Sequence, residues 1–218
     1  MFNIIMGALT GLLLLSGVIS PFNTYADSTQ LVLNYDGFFD RMDDLDEPEY
    51  QDIKLAFYFM DVKGNACPVK AVRLQTQLAK KEVYHLASGE ILLPFDHQLD
   101  ADKAAIVIDK VDSQPCGLDM RLETSILFEQ KVGVEKAKSL IGTFDLALND
   151  LAGMMSFTLP DVVGITFKSK IGETLTITNL AAGHCELNAC TLTLSDLTLY
   201  QETIKFSHTI MKAVPYIK

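Results

Sequence analysis

The spacing of apolar residues changes along the chain, and the first pattern predicts β-strands. Between Leu31 and Glu129, short runs are either wholly apolar or alternate with a period of two. The run from Ile53 to Met60 predicts a central strand that is buried on both faces. From Met120 to Phe128, apolar positions are expected to face a core, while Arg121 and Glu123 face solvent. The spacing of these runs predicts a small antiparallel β-sandwich.

The second pattern predicts a long helix. Between Val134 and Met155, apolar residues recur at intervals of three and four, which is the period of an amphipathic helix. Gly153 marks a candidate end of this helix, and Pro160 forbids its continuation.

Strands are predicted again after this helix. Val162–Lys168 and Glu173–Thr178 are expected to pair through a hairpin at Ser169–Gly172. A bulge or bend is expected at Ser195-Asp196, because the apolar positions change face there. The last predicted strand runs from Ile204 to Ile210.

The chain is therefore expected to be α+β and mostly β. An N-terminal antiparallel β-sandwich-like domain, residues 27–131, precedes a domain of residues 134–218. In the second domain the long helix is expected to pack on a small antiparallel sheet.

Residues 1–26 predict a signal peptide. They contain an apolar stretch, then Pro21, then Thr24-Tyr25-Ala26 before the first charged side chain at Asp27. The protein is accordingly expected to be periplasmic or secreted and, after cleavage, not an integral membrane protein. The alternative interpretation of this segment is an uncleaved membrane anchor.

The composition argues against two classes of protein, namely nucleic-acid-binding proteins and disordered chains. The net charge of −10, from 18 Lys+Arg against 28 Asp+Glu, argues against nucleic acid as a partner. A hydrophobic content of 49% with 21% charged residues argues against a disordered chain.

The four cysteines predict disulfides, since an even number in an exported chain is typical of cross-linking. Of the three possible pairings, Cys67–Cys116 and Cys185–Cys190 is favoured, because each pair then lies within one predicted domain. A metal or redox site at His184-Cys185 and Cys190 is the alternative, but it has too few local ligands and lacks the C-x-x-C spacing.

Eight acidic residues crowd between Asp36 and Asp52. Their carboxylates suggest a calcium site, for which the weak candidates are Asp40, Asp43, Asp44, Asp46 and Glu49. The best local frame has Pro and Glu where an EF-hand loop needs an Asp or Asn and a Gly. The simpler interpretation is a solvated acidic surface.

Motifs for catalysis or cofactor binding are not found. The four histidines have no H-E-x-x-H spacing, and His208 is expected in the core. There is no nucleophile elbow, P-loop or dinucleotide-binding turn, so no catalytic residue and no cofactor are predicted.

Four segments carry a resemblance to a known family. In chain order they are LNYDGFFDRM, IKLAFYFMDVKGNACPV, GEILLPFDHQLDADKAAIVI and LNDLAGMMSFTLPDVVGITF. They resemble domain-of-unknown-function family 2987, a family of uncharacterised exported proteins of Gram-negative bacteria. The resemblance implies an envelope location and no assigned activity.

The leading hypothesis is an exported, non-catalytic binding or interaction protein whose partner is an envelope protein, a glycan or a lipid. A hydrolase with a dispersed active site and a calcium-dependent envelope protein are the alternatives, and a catalytic site built from distant positions would not be visible as a motif.

Overall fold

A computed structural model describes residues 29–153, 159–180 and 182–218. The predicted signal peptide lies outside these ranges. The chain is α+β and mostly β, as predicted. The strands are β1 (Gln30–Asn34), β2 (Ile53–Asp61), β3 (Val69–Gln75), β4 (Lys80–Val83), β5 (Glu90–Ile91), β6 (Ala105–Lys110), β7 (Cys116–Thr124), β8 (Lys131–Gly133), β9 (Val162–Lys168), β10 (His184–Glu186), β11 (Ala189–Thr193), β12 (Thr203–Lys205) and β13 (Lys212–Ile217). The helices are α1 (Asp36–Asp43), α2 (His97–Ala101), α3 (Val134–Ala152) and α4 (Leu194–Leu197), with a 3-10 turn at Pro48–Tyr50.

Two antiparallel sheets form the N-terminal part. Their strand orders are β1-β6-β3-β4 and β5-β2-β7, and both sheets contribute apolar side chains to one core. Leu74 of β3 and Ile106 of β6 lie in this core with Phe59 of β2 and Ile91 of β5. Two sheets around a shared core agree with the predicted sandwich-like arrangement.

The long helix packs on the second part of the chain. Leu140, Ile141 and Phe144 of α3 share a core with Ile165 and Phe167 of β9, which lies in the sheet β10-β11-β9-β13. The helix ends after Ala152, where Gly153 adopts a φ of 53°. This agrees with the periodicity, which placed the helix start at Val134 and a candidate end at Gly153.

Strand β2 connects the two cores. Ile53, at its start, packs in the core of α3, whereas Phe59, near its end, packs in the core of the sandwich. Leu122 of β7 also belongs to the core of α3. The helix therefore packs partly on residues that precede the predicted boundary at 131–134, and this boundary stays a prediction.

The predicted hairpin at 169–172 is absent, and residues 173–178 do not pair with β9. Both edges of β9 are already occupied, by β11 and β13. Instead, Thr178 N donates to Lys205 O at 2.8 Å, and Ser207 N donates to Thr176 O at 3.0 Å. The sequence located the alternation of apolar and polar positions in residues 173–178 correctly, but alternation does not show which strand a segment pairs with.

The change of face at Ser195-Asp196, predicted as a bulge or bend, comes from a short helix. Thr193 and Asp196 form a capping box, in which each side chain bonds the backbone N–H of the other, and α4 begins there. After α4 the chain forms β12 and then β13, so the single predicted strand at 204–210 is replaced by two separate strands. Pro215 fits β13 because this strand is at a sheet edge.

Both predicted disulfides are present in the structure. Cys67 bonds Cys116, and Cys185 bonds Cys190. Within the described ranges, none of the helices has the length and apolar character that crossing a bilayer requires.

Candidate functional site

A cleft of about 890 Å³ is lined by residues of two sheets, β5-β2-β7 and β10-β11-β9-β13. The sheets meet where Ala213 N of β13 donates to Thr124 Oγ1 of β7 at 3.0 Å. The first wall comes from the middle of the chain and the second from its last third. The cleft is thus a product of tertiary packing.

Strand register places polar side chains on one face of the first wall. Lys54 of β2 lies directly opposite Glu123 of β7, and Tyr58 of β2 lies opposite Glu90 of β5. Residues directly opposite in antiparallel strands project to the same side of the sheet, and Lys54 and Tyr58 share a face because they are four positions apart. These four side chains therefore converge in the cleft.

Glu123 is the centre of this group, and only 2% of it is exposed. Its carboxylate accepts hydrogen bonds from Tyr58 Oη at 2.8 Å and from Lys212 Nζ at 2.6 Å. Lys54 Nζ lies 3.2 Å from its other oxygen. Burial alone would raise the pKa of Glu123, but Lys212, the Tyr58 hydroxyl and Lys54 outweigh burial and hold the pKa below its usual value. Glu123 is therefore ionised at neutral pH.

Tyr58 contacts both the carboxylate of Glu123 and two cations of the cleft, Arg121 and Lys212. Its hydroxyl also hydrogen-bonds Lys212, and its ring lies 4.9 Å from the Arg121 guanidinium carbon and 4.6 Å from Lys212 Nζ. Burial and the hydrogen bond to Glu123 raise the pKa of Tyr58 far above its ordinary value. Tyr58 is thus a neutral hydrogen-bond donor that packs between cations.

Lys168 is a half-buried cation of the cleft that has no acidic partner among the described residues. It lies in β9 directly opposite Lys212 of β13 and is half-buried. Among the described residues, no carboxylate is within ion-pair distance of its ammonium group. Burial, followed by the charges of Lys212 and Arg121, lowers the pKa of Lys168. Two lysines are therefore held opposite one another, and among the described residues only Lys212 has an ion-pair partner.

The acidic residues singled out from the sequence lie elsewhere. Their carboxylates are exposed along α1 and the loop that follows it, and none of them lines the cleft: Asp40, Asp43, Asp44, Asp46 and Glu49. Across the described residues, no group of three or more His, Cys, Asp or Glu is placed to hold a metal ion.

The histidines are dispersed. His184 lines the cleft but is largely exposed, with Nε2 3.9 Å from Glu186. His97 packs on the rings of Phe39 and Phe95. His208, expected in the core, is half-buried beside Ser207 Oγ, which lies 3.0 Å from its Nδ1.

The sequence assigned Glu123 to a solvated face, and this prediction is wrong. A period of two identifies residues that share a face but does not show whether a second sheet covers that face. One signal was available in β2, where Lys54 and Tyr58 interrupt an otherwise apolar strand on the same side. Such polar residues in a central strand indicate a functional or paired cluster.

Family comparison supports the resemblance noted from the sequence. Residues 27–168 match the family described as "Protein of unknown function (DUF2987)". The match includes Lys54, Glu123 and Lys168 but not Lys212. No curated protein and no solved structure matches the chain. Because the matched residues make up more than half of the chain, the chain belongs to the DUF2987 family.

Proposed function

We propose that the chain is an exported, non-catalytic binding protein of the cell envelope, and that its cleft binds a ligand with a carboxylate or phosphate group. The observation that carries this proposal is Lys168, a half-buried cation opposite Lys212 with no carboxylate partner among the described residues. An unpaired charge removed from water is costly unless another group compensates it. A bound anion would supply that compensation.

The charge distribution supports an anionic ligand. The chain has a net charge of −10, yet its cleft is lined by more cations than anions. The cationic residues are Lys54, Arg121, Lys168, Lys170 and Lys212, and the acidic residues are Glu90, Glu123 and Glu186. Positive charge in a partly enclosed cleft attracts anions more strongly than the same charge on an open surface, because water screens it less.

Export is supported by the predicted signal peptide and by the two disulfides. Disulfides persist in oxidising compartments such as the periplasm and are rare where thiols are kept reduced. The location in the cell envelope is part of the proposal.

A hydrolase is the second candidate, because titratable groups converge in the cleft. Their bonding argues for a fixed scaffold: Glu123 is occupied by three donors, and Ser125 Oγ donates to Gln51 O at 2.8 Å. Among the described lining residues, the hydroxyls of Ser125, Ser169 and Thr191 bond a carbonyl oxygen or another hydroxyl and not a general base. Hydrolysis of a phosphate or carboxylate ester by the purified protein, lost in Lys168→Met, would favour this candidate instead.

Binding of inorganic phosphate and citrate tests the proposed function. We expect saturable amide chemical-shift changes at Lys168 and its neighbours and a loss of affinity of at least about tenfold in Lys168→Met. Lys80→Met is the matched control, because it removes the same charge from an exposed position outside the cleft. Absence of saturable binding, or equal binding by both variants, would contradict the proposal.

The titration of Lys168 provides a second readout of the same experiment. The pKa of Lys168 is lowered in the free protein, and an anion beside it would raise that pKa again. At a pH between the pKa values of Lys168 in the free and the bound protein, binding should therefore take up protons, measurable by calorimetry in buffers of different ionisation enthalpy, and binding should weaken as the pH rises. Lys168→Met should remove this proton uptake.

A further inference from the structure

Large apolar side chains surround the mouth of the cleft. Leu127 and Leu187 are each 75% exposed, Ile171 is 82% exposed and Met211 is 49% exposed, and all four line the cleft. They come from separate segments: the chain after β7, the turn after β9, the β10–β11 turn and the residue before β13. Single exposed apolar residues are ordinary, but several around one cleft indicate a binding surface.

Leu187 has a backbone conformation that its side chain disfavours. It is the first residue of the two-residue turn between β10 and β11, and its φ is 53°. Two-residue hairpin turns of this kind favour glycine at that position, because a Cβ crowds the backbone when φ is positive. An exposed leucine is thus held at the cleft mouth at a conformational cost, a combination that is typical of functional sites.

The apolar mouth lies beside a cationic interior. Lys168 and Lys212 are less exposed than the apolar residues that line the same cleft, so the apolar side chains form the outer part of the lining and the two lysines the inner part. An inorganic anion would use only the lysines. A ligand with an anionic head and an apolar chain would match both surfaces.

We propose that the ligand is a single amphiphile, namely a carboxylate or phosphate head joined to an alkyl or acyl chain. Its head pairs with Lys168 and Lys212, and its chain covers Leu127, Ile171 and Leu187. This inference rests on the proposed anion-binding function. Each buried CH₂ then strengthens binding, by roughly two- to fourfold.

The experiment compares butanoate, octanoate and dodecanoate, with the matching alkyl phosphates, below their micelle-forming concentrations. We expect the affinity to rise by at least about tenfold from butanoate to dodecanoate, and uncharged dodecanol to bind much more weakly. Both head groups are tested because the lysines recognise the charge that carboxylate and phosphate share.

Two variants separate the apolar contribution from the ionic one. Leu187→Gly should lower the affinity for dodecanoate and leave butanoate binding unchanged, and the favoured turn residue should preserve the fold. Leu127→Ser should act similarly, whereas Leu78→Ser, which changes a leucine outside the cleft, should have no effect.

The possible results distinguish this inference from the proposed function. If short and long chains bind equally and both depend on Lys168, the amphiphile inference is overturned and anion binding stands. If no anion binds, the proposed function fails and the inference fails with it. Binding to vesicles of anionic phospholipid, without binding of monomeric dodecanoate, would also overturn the inference, because it would indicate a membrane surface as the partner.

Discussion

Glu123 combines near-complete burial with a full negative charge. Transfer of a carboxylate out of water is costly, and only partners that remain with it can offset that cost. Lys212, Lys54 and the Tyr58 hydroxyl act as these partners. The three come from β2 and β13, which are far apart in the chain. One carboxylate thus connects the two walls of the cleft.

Glu123→Gln should lower the free energy of unfolding by about 2–3 kcal/mol, because it leaves Lys212 without its closest counter-charge. Chemical denaturation measures this change. Glu135→Gln is the control: its carboxylate pairs with Lys138 on the surface, and its removal should cost less than about 0.5 kcal/mol.

Acid should also lower the free energy of unfolding of the wild-type protein. The pKa of Glu123 is lower in the folded protein, so its contribution to stability is complete above the unfolded pKa of about 4.3 and decreases as the pH falls through the folded value. Glu123→Gln should flatten this acid dependence. An equal loss of stability in Glu123→Gln and Glu135→Gln would show that the buried network contributes little.

Lys168→Met should raise the free energy of unfolding at neutral pH. The pKa of Lys168 is lowered in the folded protein, so the unfolded chain binds the proton more tightly and the charge opposes folding at pH 7. The gain should be largest below the folded pKa and shrink as the pH rises, until it vanishes well above 10.5, where Lys168 is neutral in both states. Denaturation curves at several pH values measure it. A lower stability at pH 7 would contradict the view that this cation is uncompensated.

At the scale of elements, the β10–β11 hairpin forms part of one wall of the cleft, although it is a small element. Its strands are short, and Cys185 lies directly opposite Cys190 across them. β11 is also paired with β9, whereas β10 is a three-residue strand at the edge of the sheet. The disulfide therefore fixes the turn that carries Leu187.

The paired change Cys185→Ala and Cys190→Ala should lower the free energy of unfolding by about 2 kcal/mol, since the disulfide closes a short loop. Hydrogen exchange should also become faster at the amides of β10 and the turn, while the amides of the sandwich core stay protected. The same exchange rates in both proteins would contradict the role assigned to this disulfide.

At the scale of the whole molecule, the charges are segregated. Eight of the 28 acidic residues lie within residues 36–52, whereas several lysines and an arginine converge in the cleft. The negative net charge of the chain therefore does not indicate the sign of the charge in the cleft. Long-range repulsion of anions by the surface and local attraction in the cleft oppose one another, so anion binding should depend on salt concentration.

The other disulfide stabilises the whole sandwich. It joins Cys67 to Cys116, which are 49 residues apart in the chain. Cys67→Ser should lower the free energy of unfolding by about 4 kcal/mol in the chain-entropy model, within a usual range of about 2–5 kcal/mol. Denaturation under oxidising conditions measures the loss, and the double variant with Cys116→Ser excludes effects of the free thiol. An unchanged midpoint would contradict the pairing.

The sequence predicted those parts of the fold that depend on local periodicity. Helix α3 and strands β2 and β9 lie where the apolar spacing placed them, because neighbouring side chains decide which face is buried. Pairing was predicted less well. Residues 173–178 were expected to pair with β9, but β11 and β13 occupy both edges of that strand. Pairing between strands that are distant in the chain has no local signal in the sequence.

The candidate site was not found from the sequence, and Lys168 and Lys212 illustrate the reason. They are 44 positions apart, and each follows or precedes an ordinary apolar stretch. Only the register between β9 and β13 places them opposite one another. The acidic residues of 36–52 are conspicuous in the sequence because they are close together in the chain, but closeness in the chain does not produce burial.

The sequence by itself determined the family, the α+β class, the long helix and the expected cysteine pairs, because these depend on composition and on spacing along the chain. Tertiary structure alone decided that β7 has a second sheet over its polar face, which turns Glu123 from an expected surface residue into a buried charge. Burial depends on what covers a residue, and here the covering strand, β13, comes from the end of the chain.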